Sequence, residues 1–324
     1  MHIPDGFLDA KTAVATGVMA AAGLGLAVRQ VRRSFPPRRI PLIGLAAAFV
    51  FAAQMLNFPV AGGTSGHLIG AVLAAVLLGP SAAAIALSAV LILQCFMFAD
   101  GGVTALGANI FNMGIIATGV GYGVYLLVRR FAGTELRGTL LATAFAAWCS
   151  TMVASIACAG QLAMSGTVAW GVAFPAMAGI HALIGIGEAL ITTLVVASVA
   201  RTRPELMLER QESEARPEYG ALLGQGLLVS LGLAAFVAPF ACGWPDGLEK
   251  VAGALGFEHK AATEPMFASP LPDYAVPGFN SDAAGTVIAG LIGTAVAFAL
   301  AYLLARAMTP SPAGGGTPGE PRPV

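Results

Sequence analysis

The sequence predicts an all-α fold, a polytopic bundle of helices that crosses a membrane. Three observations carry this expectation. Hydrophobic residues fill 57% of the 324 positions and charged residues only 10%, against about a quarter charged in an ordinary soluble domain. The apolar residues gather into runs of about 20, the length a helix needs to cross the hydrocarbon core. The basic residues lie mostly between those runs.

In chain order, spans are expected near residues 12–28, 40–58, 82–99, 106–128, 138–163, 173–200, 221–241 and 284–305. The run Leu68 to Leu78 is too short for a typical span and reads as a short or tilted helix buried among the others, giving nine membrane helices. The basic residues support that number. If the short run crosses, Arg29, Arg32, Arg33, Arg38, Arg39, Arg129, Arg130, Arg137, Arg201, Arg203, Arg210, Arg216, Arg306 and Arg322 all fall on one side, leaving Lys11, Lys250 and Lys260 of the 17 basic residues opposite. The positive-inside bias makes the larger set cytoplasmic. The amino terminus is then outside and the carboxyl terminus inside, in a multi-pass protein of the cytoplasmic (inner) membrane.

The charged stretch 201–220, RTRPELMLERQESEARPEYG, reads as a cytoplasmic linker. It divides a membrane domain over 1–200 from a helix pair over 221–308. That pair encloses an outer loop from Cys242 to Asp282, rich in Pro, Gly and acidic residues, of a composition that orders against a partner surface. Residues 309–324, rich in Pro and Gly, read as a disordered tail.

Composition also excludes function classes. Zero net charge and dispersed basic residues exclude nucleic acid as a partner. There is no GxxxxGK[ST] run, no HExxH and no nucleophile elbow, so the chain carries no visible apparatus for hydrolysis of its own. Cys95, Cys149, Cys158 and Cys242 form no CxxC pair and read as small buried hydrophobes, and the 11 methionines as core filling.

The residues that point to chemistry begin at the first position. The chain opens MHIPDGFL with no basic, apolar leader, so Met1 is expected to carry a free amino group. A histidine beside a free amine can chelate one ion through three nitrogens: the Met1 amine, the His2 amide once deprotonated, and the His2 imidazole. The five- and six-membered rings so formed are nearly strain-free and coplanar, the donor set that divalent nickel or copper prefers. The fourth ligand proposed is His67. It follows the glycine-rich stretch Asn57 to Gly66 on the same outer face, where breaks in regular structure are tolerated if they line a cavity. The alternative is a lone loop histidine satisfied by a carbonyl. Binding would release protons, because α-amino groups ordinarily titrate at about 7.7–8.0, and a nitrogen site would reject the oxygen-seeking magnesium and calcium ions.

Further polar residues are candidates for a supporting or conformational role. His181 and Glu188 share one face of a span, about 10 Å apart along its axis, too far to bind one ion together. They either fix the packing or act behind the ligands. Asn109 and Asn112, one helical turn apart, could orient a ligand or the terminal segment, as could Gln54 and Asn57. Hydrogen bonding between helices is the competing reading for each.

Together MHIPDGFL, the stretch Asn57 to His67, Gly107 to Gly114 and His181 to Glu188 (HALIGIGE) resemble the substrate-binding M component of cobalt/nickel energy-coupling-factor transporters, the CbiM/NikM family, over residues 1–200. Pro245 to Glu249 resembles the PDGLE-type N component, so the chain resembles an M–N fusion with seven M-like and two N-like helices. The resemblance implies a near-planar four-nitrogen site at Met1, His2 and His67 and no resident cofactor, nickel or cobalt being the transported substrate. It also implies partners: a transmembrane coupling subunit of the T/Q type and two cytosolic ATPases. The N-like loop would lie near the metal entrance and influence loading. Two rivals stay open: an ion-coupled secondary metal permease using His181 and Glu188 as a relay, and an intramembrane metalloenzyme.

Overall fold

The computed structural model describes residues 1–207, 219–263, 266–279 and 281–308. Most of the expected linker and all of the expected tail lie outside the described residues, as do Arg210, Arg216 and Arg322.

The first helix, α1 (Ala10–Ser34), starts at Asp9, whose side chain accepts from the Thr12 amide at 3.0 Å and so satisfies one of the amides a helix start leaves unpaired. After Pro36 and Pro37 the chain re-enters a helix as α2 (Ile40–Gln54). That helix stops earlier than the apolar run suggests, because the chain turns into a two-stranded hairpin, β1 (Phe58–Val60) and β2 (Thr64–Gly66), with Gly62 and Gly63 at positive φ in its turn. Gly70, at φ 77°, then starts α3 (Ala71–Leu78), and Pro80 opens α4 (Pro80–Phe98).

At 1.5 Å per residue α3 is only about 12 Å long, and all its residues but Leu77 are buried. It lies inside the bundle. Its start is held by Glu188, whose buried carboxylate accepts from the Ile69 amide at 2.6 Å and the Gly70 amide at 3.0 Å. With no water to serve them, main-chain groups at membrane depth need such partners.

The next span joins α5 (Leu106–Asn109), a π-helical stretch at Ile110–Ile116 and α6 (Ala117–Ala132). It is followed by α7 (Leu136–Met164) and α8 (Trp170–Thr202). The last pair is α9 (Tyr219–Phe236) and α11 (Asp282–Met308), with the short α10 (Gly247–Leu255) in the loop between them. Among the described residues seven helices are long and apolar enough to cross a membrane. The other two of the nine expected, α2 and α3, have 15 and 8 residues. In α4, 78% of the most apolar stretch is buried, against 22–44% in the other six, so α4 is the centre of the bundle.

The last pair packs on the first part through small residues. Gly285, Ala289, Gly293, Ala297, Ala301 and Ala305 recur every fourth position on the buried face of α11, the pattern that lets helix backbones approach closely in lipid. At Gly293 even a methyl group would meet the Phe51 ring of α2.

Replacing Glu188 with Leu strands two buried amides, each at about 1–3 kcal/mol. A large fall in the thermal midpoint of the detergent-solubilised chain is expected, with a smaller fall for Glu188→Gln, which keeps one acceptor.

Candidate metal centre

The first eight residues are built into the protein. Met1, Ile3 and Phe7 are buried. Asn109 grips Ile3 on both main-chain atoms, its Oδ1 accepting from the amide at 2.9 Å and its Nδ2 donating to the carbonyl at 3.1 Å. The Gly102 amide donates to the same carbonyl at 2.9 Å, and the Asp5 carboxylate accepts from the Thr104 amide at 2.8 Å. A Cβ on Gly102 would collide with Asp5, so this glycine is needed to let the terminal segment lie flat. On its other side the Asp5 carbonyl accepts from the Ala262 amide at 2.9 Å, and Phe7 meets Phe257 edge to face. The loop between α9 and α11 is therefore ordered against the chain's own amino-terminal segment.

This packing brings the three expected ligand residues together. The Met1 nitrogen lies 2.8 Å from His67 Nε2. His67 Nδ1 lies 3.1 Å from the Leu68 carbonyl; a carbonyl only accepts, so Nδ1 carries the proton and Nε2 presents its lone pair to the amine. Burial, with the Met1 ammonium and His2 adding to it, lowers the His67 pKa to about 3, which leaves the ring neutral. Two neighbouring donors of a square-planar ion, each about 2.0 Å from it as nitrogen ligands of zinc are, stand about 2.8 Å apart. The Met1–His67 spacing is the same, and it is the length of the hydrogen bond the amine donates to Nε2.

The His2 ring stacks on His67, with centroids 5.2 Å apart and planes at 17°. Its Nδ1 pairs with Asp100 Oδ1 at 2.9 Å, and its Nε2 is buried without a hydrogen-bond partner. A chelate with the Met1 amine requires Nδ1 to turn from Asp100 toward the amine. Asp100 in turn accepts from the Tyr274 hydroxyl at 2.6 Å. Burial alone would raise the Asp100 carboxyl, but His2 and Tyr274 hold it well below the usual carboxylate range.

The Met1 amine has a second partner, Asp246 Oδ2 at 2.6 Å. Here too burial works to raise the carboxyl, and the adjacent ammonium outweighs it. Among the described residues no group of three or more His, Cys, Asp or Glu side chains is placed to hold a metal ion. Met1, His67, His181, Asp246 and Gly247 line a cavity of about 10 Å³, room for about one water-sized particle.

The other candidates divide. Asn109 touches the terminal segment directly. His181 donates Nδ1 to the Met177 carbonyl at 2.8 Å and turns an unpartnered Nε2 toward Gly247 at the cavity. Glu188 stands behind His67, on the amides that start α3. Gln54 donates to the Ile69 carbonyl at 3.0 Å in the same segment. Asn57 offers its main-chain carbonyl to the Cys242 amide at 2.8 Å. Asn112 is spent elsewhere, in a reciprocal amide pair with Gln161 at 2.8 and 2.7 Å. Reading the sequence missed Asp100 and Tyr274. Asp100 had a signal, a carboxylate just before Gly101 and Gly102 at the outer end of a span, whereas the reach of Tyr274 is purely tertiary.

Comparison with known proteins gives a consistent picture. The family model of the cobalt uptake substrate-specific transmembrane region, CbiM, matches residues 2–206, and that of the PDGLE domain matches residues 220–309. A fused nickel transport protein of Rhodobacter capsulatus is 35% identical over 330 residues, 91% of this chain and 94% of that protein. A relative in Archaeoglobus fulgidus, provisionally named a fused nickel transport protein, is 39% identical over 308 residues, 94% of this chain and 98% of its own length. A crystal structure of a transition metal transporter, 35% identical, covers 67% of this chain and 100% of its own with a TM-score of 0.59.

A metal ion held by nitrogen donors competes with protons for their lone pairs. Binding of Ni²⁺ or Co²⁺ is therefore expected to weaken as pH falls, because protons compete for the same nitrogens. Titration across pH with a proton-release readout checks it. His67→Ala should cost far more affinity than His181→Ala.

Proposed function

The chain belongs to the CbiM family, with a PDGLE domain behind its CbiM region, and from that premise we propose that it is the substrate-capture component of an ATP-driven nickel or cobalt uptake transporter. It is a multi-pass membrane protein of a metal-transport family. The finer reading rests on one observation, the Met1 amine facing the bare lone pair of His67 at 2.8 Å, with His2 stacked alongside.

In this reading the ion is held by the Met1 amine, the His2 amide and imidazole, and His67 Nε2. His2 leaves Asp100 as the ion enters. The donor set is all nitrogen, which selects against magnesium and calcium. Divalent nickel suits a planar arrangement, and cobalt is the alternative substrate. The amino terminus faces outward, where the ion arrives, and the arginine-rich loops face the cytoplasm. Residues 1–200 form the capture domain, 201–220 the linker and 221–308 the N-like helix pair. The chain has no nucleotide-binding motif, so energy comes from partners, a T/Q-type coupling subunit and two cytosolic ATPases. Against an ion-coupled permease stands Glu188, whose carboxylate oxygens are both engaged by the Ile69 and Gly70 amides and are poorly placed to act as a relay.

Uptake of Ni²⁺ into vesicles is expected only when the coupling subunit, the ATPases and ATP are present; uptake by this chain alone would reject the ATP-driven reading. Adding one residue before Met1 should abolish high-affinity binding, and retained affinity would show that the amine is not a ligand.

A further inference from the structure

The loop between α9 and α11 does more than lie near the site. Pro245 accepts from the Ser65 amide at 2.8 Å, and Trp244 from the Ser65 hydroxyl at 2.7 Å, so the loop docks on β2 just before His67. Docked there, it starts α10 with Asp246 as the N-cap. One oxygen of Asp246, Oδ1, accepts from the Leu248 and Glu249 amides at 2.7 and 2.9 Å, while Glu249 accepts in return from the Asp246 amide at 2.9 Å. The two bonds at Oδ1 fix the carboxylate's direction, and the bond returned by Glu249 to the main chain completes the capping box. The other oxygen, Oδ2, is left to face the Met1 amine at 2.6 Å. Gly247 makes the approach possible, since a Cβ there would stand 2.7 Å from the His181 ring.

Resting on the reading given above, we propose that Asp246 is a positioning residue of the metal site: its Oδ2 accepts a hydrogen bond from the Met1 amine in the loaded state and aims that nitrogen's lone pair at the ion. The PDGLE part thereby completes the site. An amine bound to a metal keeps two N–H bonds, and burial leaves them in need of an acceptor. Charge points the same way. A divalent ion bound by a neutral amine, two neutral imidazoles and one deprotonated amide carries one net positive charge in a buried place, and the Asp246 carboxylate neutralises it.

The two oxygens of Asp246 allow the roles to be separated. Asparagine is as good an N-cap as aspartate, so Asp246→Asn can keep the bonds at Oδ1 while an NH₂ group, which only donates, replaces Oδ2. Asp246→Ser also caps, and its side chain is too short to reach the amine. Glu249→Ala removes half of the capping box and leaves Oδ2 in place. Each full chain, purified with its native amino terminus, is titrated with Ni²⁺, with the thermal midpoint measured on the same sample. Asp246→Asn and Asp246→Ser are expected to lose about 10–100-fold in affinity, as changes behind a metal ligand do. Glu249→Ala is expected to lower the midpoint and stay within about threefold of the parent in affinity, well short of that loss. Parental affinity in both Asp246 variants overturns the proposal. So does an equal loss in Glu249→Ala, because the effect would then be one of loop folding. If the parent chain itself binds no Ni²⁺, the capture reading falls and this inference with it.

Discussion

The rest of the structure answers to one demand, that the α-amino group at the start of the chain be held still, buried and facing an imidazole. Chain termini are ordinarily the most mobile part of a domain, and a charged amine resists burial. Here the terminus is restrained over its length: Asn109 and Gly102 on Ile3, Thr104 and Ala262 on Asp5, Phe257 on Phe7. The amine is matched by one carboxylate and one neutral nitrogen. Removing a single restraint would free only part of the segment, which is why they are drawn from α5, the loop after α4 and the loop before α11 together.

The second half of the site depends on non-helical backbone inside a helical bundle. The hairpin and the short α3 carry His67 inward, and their main-chain polar groups must find protein partners. Glu188 and Gln54 serve the turn before α3, and the docked loop serves Ser65. The side chains of Glu188 and Gln54 thus hold the backbone that carries His67.

Much of this was legible in the sequence, and the limits were physical. Apolar runs of spanning length and the loops of arginine reveal a helical membrane protein because lipid permits few other solutions. Met1 and His2 stand out because a nitrogen chelate at a chain start is a local property of the covalent structure, and His67 because it follows a glycine-rich break on the same outer face. Where α2 ends is less legible: apolar residues continue past Gln54, and only the pairing of Phe58 with Gly66 shows that a hairpin has taken over. Asn109 and Asn112 look equivalent on their helix, yet one meets Ile3 and the other Gln161, and a π-helical stretch begins between them. The joint reach of Asp100 and Tyr274 toward His2 crosses 174 residues of chain, and no local pattern encodes it.

The contact between Met1 and Asp246 joins residues 245 positions apart. At about 5–20 residues per second of synthesis, the amine emerges roughly ten to fifty seconds before its carboxylate exists. The helices of the first part can be inserted during that interval while the amine waits without its carboxylate. The contact is complete only after Asp246 has been made, so it is among the last the growing chain acquires. A polypeptide arrested in its first two thirds would have His2, His67 and His181 in place and still lack the group that steadies its first atom.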